Sequence, residues 1–379
     1  MTDHAMQPST DLSPDQGKGG VESDRPKVCL AQLEPYSSNQ GQTLILAQFL
    51  RDKGWDACIV CRAPALASAA RKHSIPVHIL PEGKGLLTAW RLLRIMRKHG
   101  ISGGKDGLLH ALDTPASHLA SLVWRLNKKL RILHTRRMPV MEQSHKTVRC
   151  YLLPPAKVVT DSLAGKIALR LSGLEPHLLH TIACGVEYPV CPARRERKDG
   201  RIVFAVTGEL APGKGHSLLF EALTRLGAEA DLPSWEVRAL GRGPALGDLL
   251  DEAVSRNVAD RLVFLSEADP EQELAACDIL VLPASEGESH APLILQGWGA
   301  GLPVVAVNRL DHAEMLQDEG NCLLSQPNDA VGLAAQMARL ARDAALRDTL
   351  SRNGLVSLKK FDARSMAGEY SKLYHQILA

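Results

Sequence analysis

Residues 278–306 read DILVLPASEGESHAPLILQGWGAGLPVVA, and the order of residue types in that stretch decides the fold. The apolar run from Ile279 to Leu282 is too short for a helix and reads as a strand buried on both faces. A loop of Ser, Glu and Gly follows. Pro292 suits the first turn of a helix, where its missing N–H removes no bond, so a helix is expected to start near it. The β-branched run that follows Pro303 reads as the next strand. Strand, loop, helix and strand make the repeating unit of a parallel sheet, whose ligands bind beyond the carboxyl ends of the strands. Glu288 then lies in the loop and Gln296 about one turn inside the helix. A carboxylate accepts hydrogen bonds from vicinal hydroxyls, and an amide both donates and accepts. An acid and an amide facing one cleft suit a hydroxyl-rich ligand; a solvated acid beside an exposed amide is the plain alternative.

The same alternation runs outward in both directions. Ahead of residue 190, strands are expected at 26–33, 56–61, 107–112, 130–135 and 156–161, with VHIL as another. Helices are expected between them, including 43–54 and GLLTAWRLLRIMRKHG, where Leu86, Trp90 and Leu93 share one side. VCPARRERKDG (190–200) is charged and turn-rich and reads as a linker. Beyond it the alternation restarts with RIVFAVTG and continues through WEVRALG, RLVFLS, DILVLPA and LPVVAVN, ending in one or two helices near the C-terminus. The fold class is therefore α/β: two tandem Rossmann-like, doubly wound domains facing each other across a cleft. Their expected extents are 26–190 and 200–361, after a polar, disordered tail at 1–25.

Composition narrows the function. The 379 residues carry a net charge of only +3, but it is unevenly placed. Residues 26–195 hold 25 Lys+Arg against 10 Asp+Glu, and residues from 196 onward hold 18 against 27. A basic first half is expected to face an anion such as a phosphorylated glycan, a lipid surface or nucleic acid, and the acidic second half a different client. Aromatics at 4% are too few for base stacking, so nucleic acid is the weak choice. No run of 18 apolar residues and no secretory h-region occurs, which with scattered cysteines suggests a reducing cytoplasm. Cys58 and Cys61 form a CxxC inside a strand-like run with no second pair to complete a zinc site, so buried thiols are expected and no metal.

Two further loops carry chemistry. In VTGELAPGKGHSLLFEAL (206–223) a strand ends at Gly208, and Gly213 and Gly215 flank Lys214 before a helix. Glycines allow close backbone approach, a helix N-terminus favours an anion, and the lysine adds a full charge, so a phosphate or diphosphate is the natural guest; the motif alone reads equally as an ordinary strand-to-helix turn. VRALGRGPALGDLL (237–250) repeats the theme with Gly241 and Gly243, either as a ligand contact or as a tight turn.

Taken in order, GELAPGKG, LGRGP, DILVLPASEGESHAPLILQGWGAGLPVVA and GNCLLSQPND resemble the donor domain of the retaining GT-B glycosyltransferases of family 4. CGVE (184–187) is similar to the segment closing that family's first domain, and ARSMAGEYSKLYHQIL to the helix, here 362–379, that crosses back onto it. The resemblance implies transfer of a sugar from a nucleotide-sugar with retained configuration, with no cofactor and no metal. Lysine, helix dipole and backbone amides neutralise the diphosphate instead. It implies that Lys214, Gly213 and Gly215 hold the diphosphate, that Glu288 binds donor-sugar hydroxyls, and that N–H groups of Ser289, His290 and Ala291 face the phosphates. Gln296 reaches the ribose, and the loop near Gln40 and Gly41 lies below the donor.

Four positions depart from that pattern. Gln296 stands where the family has a second acid, Glu209 where an arginine usually follows Gly208, and Pro292 lacks an N–H. Leu112 occupies the place of the active-site histidine, with His110 and Asp113 as the neighbouring catalytic candidates. Arg136 and Arg137, after a strand of the basic half, suit either an acidic acceptor or a merely solvated surface. The helix at 84–98, with Arg91, Arg94 and Lys98, suits either an ordinary core or an anionic lipid surface. The expected function is a cytoplasmic glycosyltransferase of capsule or lipopolysaccharide synthesis acting on an anionic or lipid-linked glycan, in peripheral contact with the inner membrane. The alternative is a degenerate relative that binds a nucleotide-sugar or partner without efficient transfer.

Overall fold

The computed structural model describes residues 25–35, 37, 39–83, 85–137, 150–151, 157–187, 200–266, 270–285 and 289–379. Nearly all of the expected tail, nearly all of the expected linker, and Glu288 lie outside the described residues.

Seven parallel strands form the first sheet: β1 (Lys27–Gln32), β2 (Asp56–Cys61), β3 (Val77–Ile79), β4 (Gly107–Ala111), β5 (Arg131–Arg136), β6 (Lys157–Thr160) and β7 (Leu179–Thr181), ordered β3-β2-β1-β4-β5-β6-β7. Six form the second: β8 (Ile202–Thr207), β9 (Trp235–Leu240), β10 (Leu262–Leu265), β11 (Ile279–Leu282), β12 (Val304–Val307) and β13 (Leu323–Ser325), ordered β10-β9-β8-β11-β12-β13. Helices cover both faces of each sheet, so the central strands are apolar throughout. Val28 and Leu30 point into one layer and Cys29 and Ala31 into the other. In the second sheet Phe204 and Val206 face one layer, and Val203 and Ala205 the opposite one. In each sheet the strand order reverses beside the first strand, between β1 and β4 and between β8 and β11. Crevices for ligands open at such switch points, at the carboxyl ends of the strands.

The CxxC divides between layers. Cys58 lies opposite Cys29 in the β1–β2 register, whereas Cys61 faces the other core. The Cys29 thiol is pushed well up by its hydrogen bond to Cys58 and by burial. The seven described cysteines are buried, and none forms a disulfide with another described residue.

The C-terminal helix, Ala363–Leu378, packs on the first sheet's core through Met366, Tyr370, Leu373 and Tyr374. The chain's two passages between the sheets run side by side: Val186 donates its N–H to Phe361 O at 2.9 Å, and Ala363 N donates to Val186 O at 3.0 Å. A Cβ on Gly185 would sit 2.7 Å from Ala363 Cα, so only glycine fits that crossing. Gln42 clamps it, donating to Gly185 O at 2.8 Å and accepting from Gly185 N at 3.0 Å.

The helix Leu86–Lys98 is rotated from the sequence expectation. Its buried face is Thr88, Ala89, Leu92, Leu93 and Met96, while Leu86, Leu87 and Trp90 are exposed. The stripe Ala89–Leu92–Leu93–Met96 keeps helical spacing and leaves Trp90 outside, with Arg94 over its ring at 5.7 Å.

Candidate functional site

The candidate site lies where the loops after β8 and β11 meet. Thr207, Gly208, Glu209, Lys214 and His216 line a cleft with Pro283, His290 and Leu293. Beyond β8 the chain turns through Gly208 and reaches the helix His216–Gly227 at Gly215, its left-handed N-cap (φ +79°). A Cβ on Gly215 would lie 2.5 Å from Pro283 C and O, so this turn rests directly on the end of β11. Gly213 also takes positive φ, and Lys214 between the two glycines presents its ammonium to the cleft.

Gly241 and Gly243 have an internal reason. Their Cβ atoms would lie 1.8 Å from Gly208 O and 2.1 Å from Leu210 O. Gly208 N donates to Leu240 O at 3.1 Å, Leu210 N to Arg242 O at 2.9 Å and Ala245 N to Leu210 O at 2.9 Å. The glycines let the β8–β9 ladder continue into the loops, which fixes the backbone on both sides of Glu209.

On the facing side the helix Ala291–Gly299 starts as expected, with Pro292 in its first turn and His290 as N-cap. Gln296 is half-buried in it. The N–H groups at its start already have acceptors: Ser289 N donates to Arg137 O at 2.7 Å, His290 N to His312 Nε2 at 3.2 Å and Ala291 N to Ser289 Oγ at 3.3 Å. His312 accepts through Nε2 and is therefore neutral. Burial is the main cause lowering it to about 4, and Arg309 also lowers it while Asp311 opposes. Arg309 binds Asp311 through two hydrogen bonds, Nε to Oδ1 at 3.0 Å and Nη2 to Oδ2 at 2.9 Å. Burial also holds His290 well below its usual range, with Arg309, His312 and Lys214 adding repulsion. Lys214 and His290 line the same cleft, which makes the lysine turn and the helix start near neighbours.

This site borders the first domain directly. Ser289 carries the Arg137 contact and also a hydrogen bond with Asp161, which follows β6. Burial pushes the Asp161 carboxyl up to about 6, against the Ser289 hydrogen bond and the Arg137 charge, which both lower it. Nearby, Glu314 Oε2 accepts from Leu163 N at 3.0 Å, at the start of the helix Leu163–Leu171. Asp161, Arg309, Asp311, His312 and Glu314 were not singled out from sequence. Only Asp161 had a usable signal, an acid at the carboxyl end of a parallel strand.

The two catalytic candidates of the first domain are buried, and both are hydrogen-bonded within the protein. His110 is fully buried, with Nδ1 2.7 Å from Tyr374 Oη and Nε2 2.6 Å from Thr135 Oγ1. Burial, with Arg137 and His134 nearby, holds it well below its ordinary range. With both nitrogens engaged, the imidazole ties the C-terminal helix to the sheet through Tyr374. Asp113 caps the helix Thr114–Leu126 through Ala116 N at 2.7 Å. Its other oxygen accepts from Gln32 Nε2 at 3.0 Å, Leu33 N at 2.5 Å and Glu34 N at 2.7 Å. That carboxylate pins the loop after β1, which leads to Gln40 and Gly41. Gly41 stands in the first turn of the helix Gln40–Asp52, with open space where a Cβ would be. Leu112 is core. Arg136 and Arg137 are both buried rather than solvated. Arg136 Nη1 lies 3.3 Å from Tyr151 Oη, and Arg137 sits at the domain seam.

Residues 201–343 match the family model Glycosyl transferases group 1. Among curated proteins, the chain is 27% identical over 196 residues to the lipopolysaccharide core biosynthesis glycosyltransferase LpsD of Rhizobium meliloti, covering 50% of this chain and 54% of LpsD. It is 24% identical over 159 residues to the N-acetyl-alpha-D-glucosaminyl L-malate synthase of Bacillus anthracis, covering 42% and 41%. The chain thus spans about half, or less, of the length of these relatives. Among solved structures, HepE of Anabaena in complex with UDP and glucose superposes with a TM-score of 0.78 at 18% identity, covering 92% of this chain and 99% of that one. The fold is GT-B, and the relatives and the matched domain are those of glycosyltransferases. Among the described residues no helix is long and apolar enough to cross a membrane.

Proposed function

We propose that this protein transfers a sugar from a nucleotide-sugar to an anionic or lipid-linked glycan, with retention of configuration and without a metal, in cell-envelope polysaccharide or lipopolysaccharide synthesis. The observation that carries this reading is Lys214 on its glycine turn, facing the start of the helix Ala291–Gly299 across one cleft. A diphosphate leaving group needs preorganised positive charge, and the lysine and two helix N-termini supply it. Residues 200–361 would hold the donor, 26–190 the acceptor, and 362–379 would tie the two together. Glu288 would bind the donor sugar and Gln296 the ribose, with the Gly41 loop below. HepE was solved with UDP and glucose, and LpsD acts in lipopolysaccharide core synthesis. Uridine donors and envelope glycans are therefore the first to test. Incubating the protein with UDP-, GDP- and ADP-sugars should release nucleotide diphosphate slowly by hydrolysis, and faster with an acceptor glycan. Binding without release from any donor would favour the degenerate alternative, motivated by Leu112, Glu209 and Gln296.

A cytoplasmic protein serving a lipid-linked acceptor would work at the inner membrane face. The exposed Leu86, Leu87 and Trp90, continued by exposed Arg91, Arg94, Arg97 and Lys98, form an apolar and basic face suited to anionic headgroups. Vesicles containing phosphatidylglycerol should co-sediment the protein at low salt, and Trp90→Ala with Arg94→Ala should abolish this. Equal sedimentation by neutral vesicles would remove the proposal.

A further inference from the structure

Glu209 Oε2 lies 3.2 Å from Lys214 Nζ, and both side chains are partly shielded, 24% and 20% exposed. The carboxylate is held there by the backbone on either side of it. Gly208 N and Leu210 N are fastened to Leu240 O and Arg242 O, and the Glu209 carbonyl lies 3.2 Å from His216 Nε2. Glu209 therefore places an anion against the one lysine of the glycine turn, within the cleft. The helix start opposite is satisfied in the same manner, with Arg137 O on Ser289 N, His312 Nε2 on His290 N and Ser289 Oγ on Ala291 N. Lys214 and the N–H groups of Ser289, His290 and Ala291 are thus answered by the protein itself.

Resting on the donor-site reading above, we propose that Glu209 is an internal stand-in for a donor phosphate: it occupies Lys214 until a nucleoside diphosphate displaces it, and so sets the affinity of this site. A diphosphate entering the cleft has to break the ion pair and then sit beside a carboxylate, and both effects weaken binding. The cost is electrostatic and falls as salt screens it. A cluster of positive charge would bind any polyphosphate. A lysine already covered by a carboxylate weakens every diphosphate ligand alike, so only one that contributes further contacts, such as a complete nucleotide-sugar, keeps a useful affinity.

The test is titration of inorganic pyrophosphate, and of UDP, GDP and ADP, into wild type, Glu209→Gln, Lys214→Ala and the double variant, with and without Mg2+. Thermal melts would verify folding of each. Glu209→Gln should bind pyrophosphate and the preferred nucleotide about five- to tenfold more tightly than wild type. The gain should shrink as salt rises, and should be smaller but not lost when Lys214 is also alanine, because the ion pair is then gone while the carboxylate's repulsion of the ligand remains. Equal or weaker binding by Glu209→Gln overturns the proposal. A Mg2+-dependent affinity that Glu209→Gln loses also overturns it, since the carboxylate would then be holding a cation. If no form of the protein binds pyrophosphate or any of the nucleotides, the donor-site reading itself fails and this inference falls with it.

Discussion

Replacing Trp298 with alanine is expected to destabilise the second domain by about 3–5 kcal/mol, the range for removing a large aromatic from a close-packed core. Trp298 is fully buried in the helix Ala291–Gly299, tilted against Phe361 with ring centroids 6.4 Å apart. The neighbouring helix Ala344–Leu358 comes so close that a Cβ on Gly354 would lie 2.4 Å from Trp298 Cδ1. That helix cannot easily collapse into the vacated space, because Ser351 Oγ and Asn353 Nδ2 hold it to Gly301 O and Gly320 O at 2.6 Å each. A residual cavity is therefore expected, which places the loss in the upper part of the range. Trp298→Phe should lose much less. It keeps most of the apolar contact and removes an indole N–H that has no hydrogen-bond partner among the described residues. Urea unfolding followed by circular dichroism distinguishes the two, and equal midpoints for wild type and Trp298→Ala would contradict this account of the core. The same indole supports the site, since its helix begins at His290. Trp298→Ala should therefore also weaken nucleotide binding at temperatures where the protein remains folded.

Much of this fold was legible because long, doubly buried strands announce themselves. IVFAVT, ILVL and VVAV leave no other reading, and the glycines after them mark the turns. Of the three-residue strands, β3 was read from the apolar run VHIL, whereas β7 and β13, LHT and LLS, carry too few β-branched and apolar residues to stand out from their loops. The orientation of the helix Leu86–Lys98 was misjudged because two apolar stripes compete on one surface, and only the packed neighbours decide between them. At the site, the lysine turn and the helix start at Pro292 could be read locally. The partners of His110 and Asp113 could not. Tyr374 is 264 residues from His110 in sequence, and Gln32 is 81 from Asp113. A histidine or acid at the end of a strand looks the same whether it faces a ligand or a tyrosine from a distant helix. The Glu209–Lys214 contact is the opposite case: both residues were in view, yet the effect of one on the other depended on how the intervening turn folds.

Removing the Lys214 ammonium is expected to have the largest functional effect. With Lys214→Ala, transfer should fall by about 100- to 1,000-fold, the scale of deleting one preorganised charge stabiliser from a transition state. Two features of this cleft favour the upper end. The arginine that would follow Gly208 in the resembling family is Glu209 here, so no second cation from that position shares the load. Removing Lys214 also leaves the Glu209 carboxylate without its ion-pair partner, facing an anionic ligand. Lys214→Ala with Glu209→Gln should therefore recover part of the loss, a sign opposite to that of two independent damaging substitutions. Lys214→Arg should retain more activity than alanine, but not all, because a planar guanidinium does not fit the space of a compact ammonium on a tight glycine turn. Steady-state transfer and nucleotide titration distinguish the two functional readings. In an enzyme, Lys214→Ala lowers kcat and nucleotide affinity together. In a degenerate binder, wild type already turns over no donor and only the affinity changes. Unaltered nucleotide affinity after simultaneous replacement of Lys214 and Glu288 would contradict both, because each reading makes Lys214 the cation on the diphosphate and Glu288 the acid on the donor sugar.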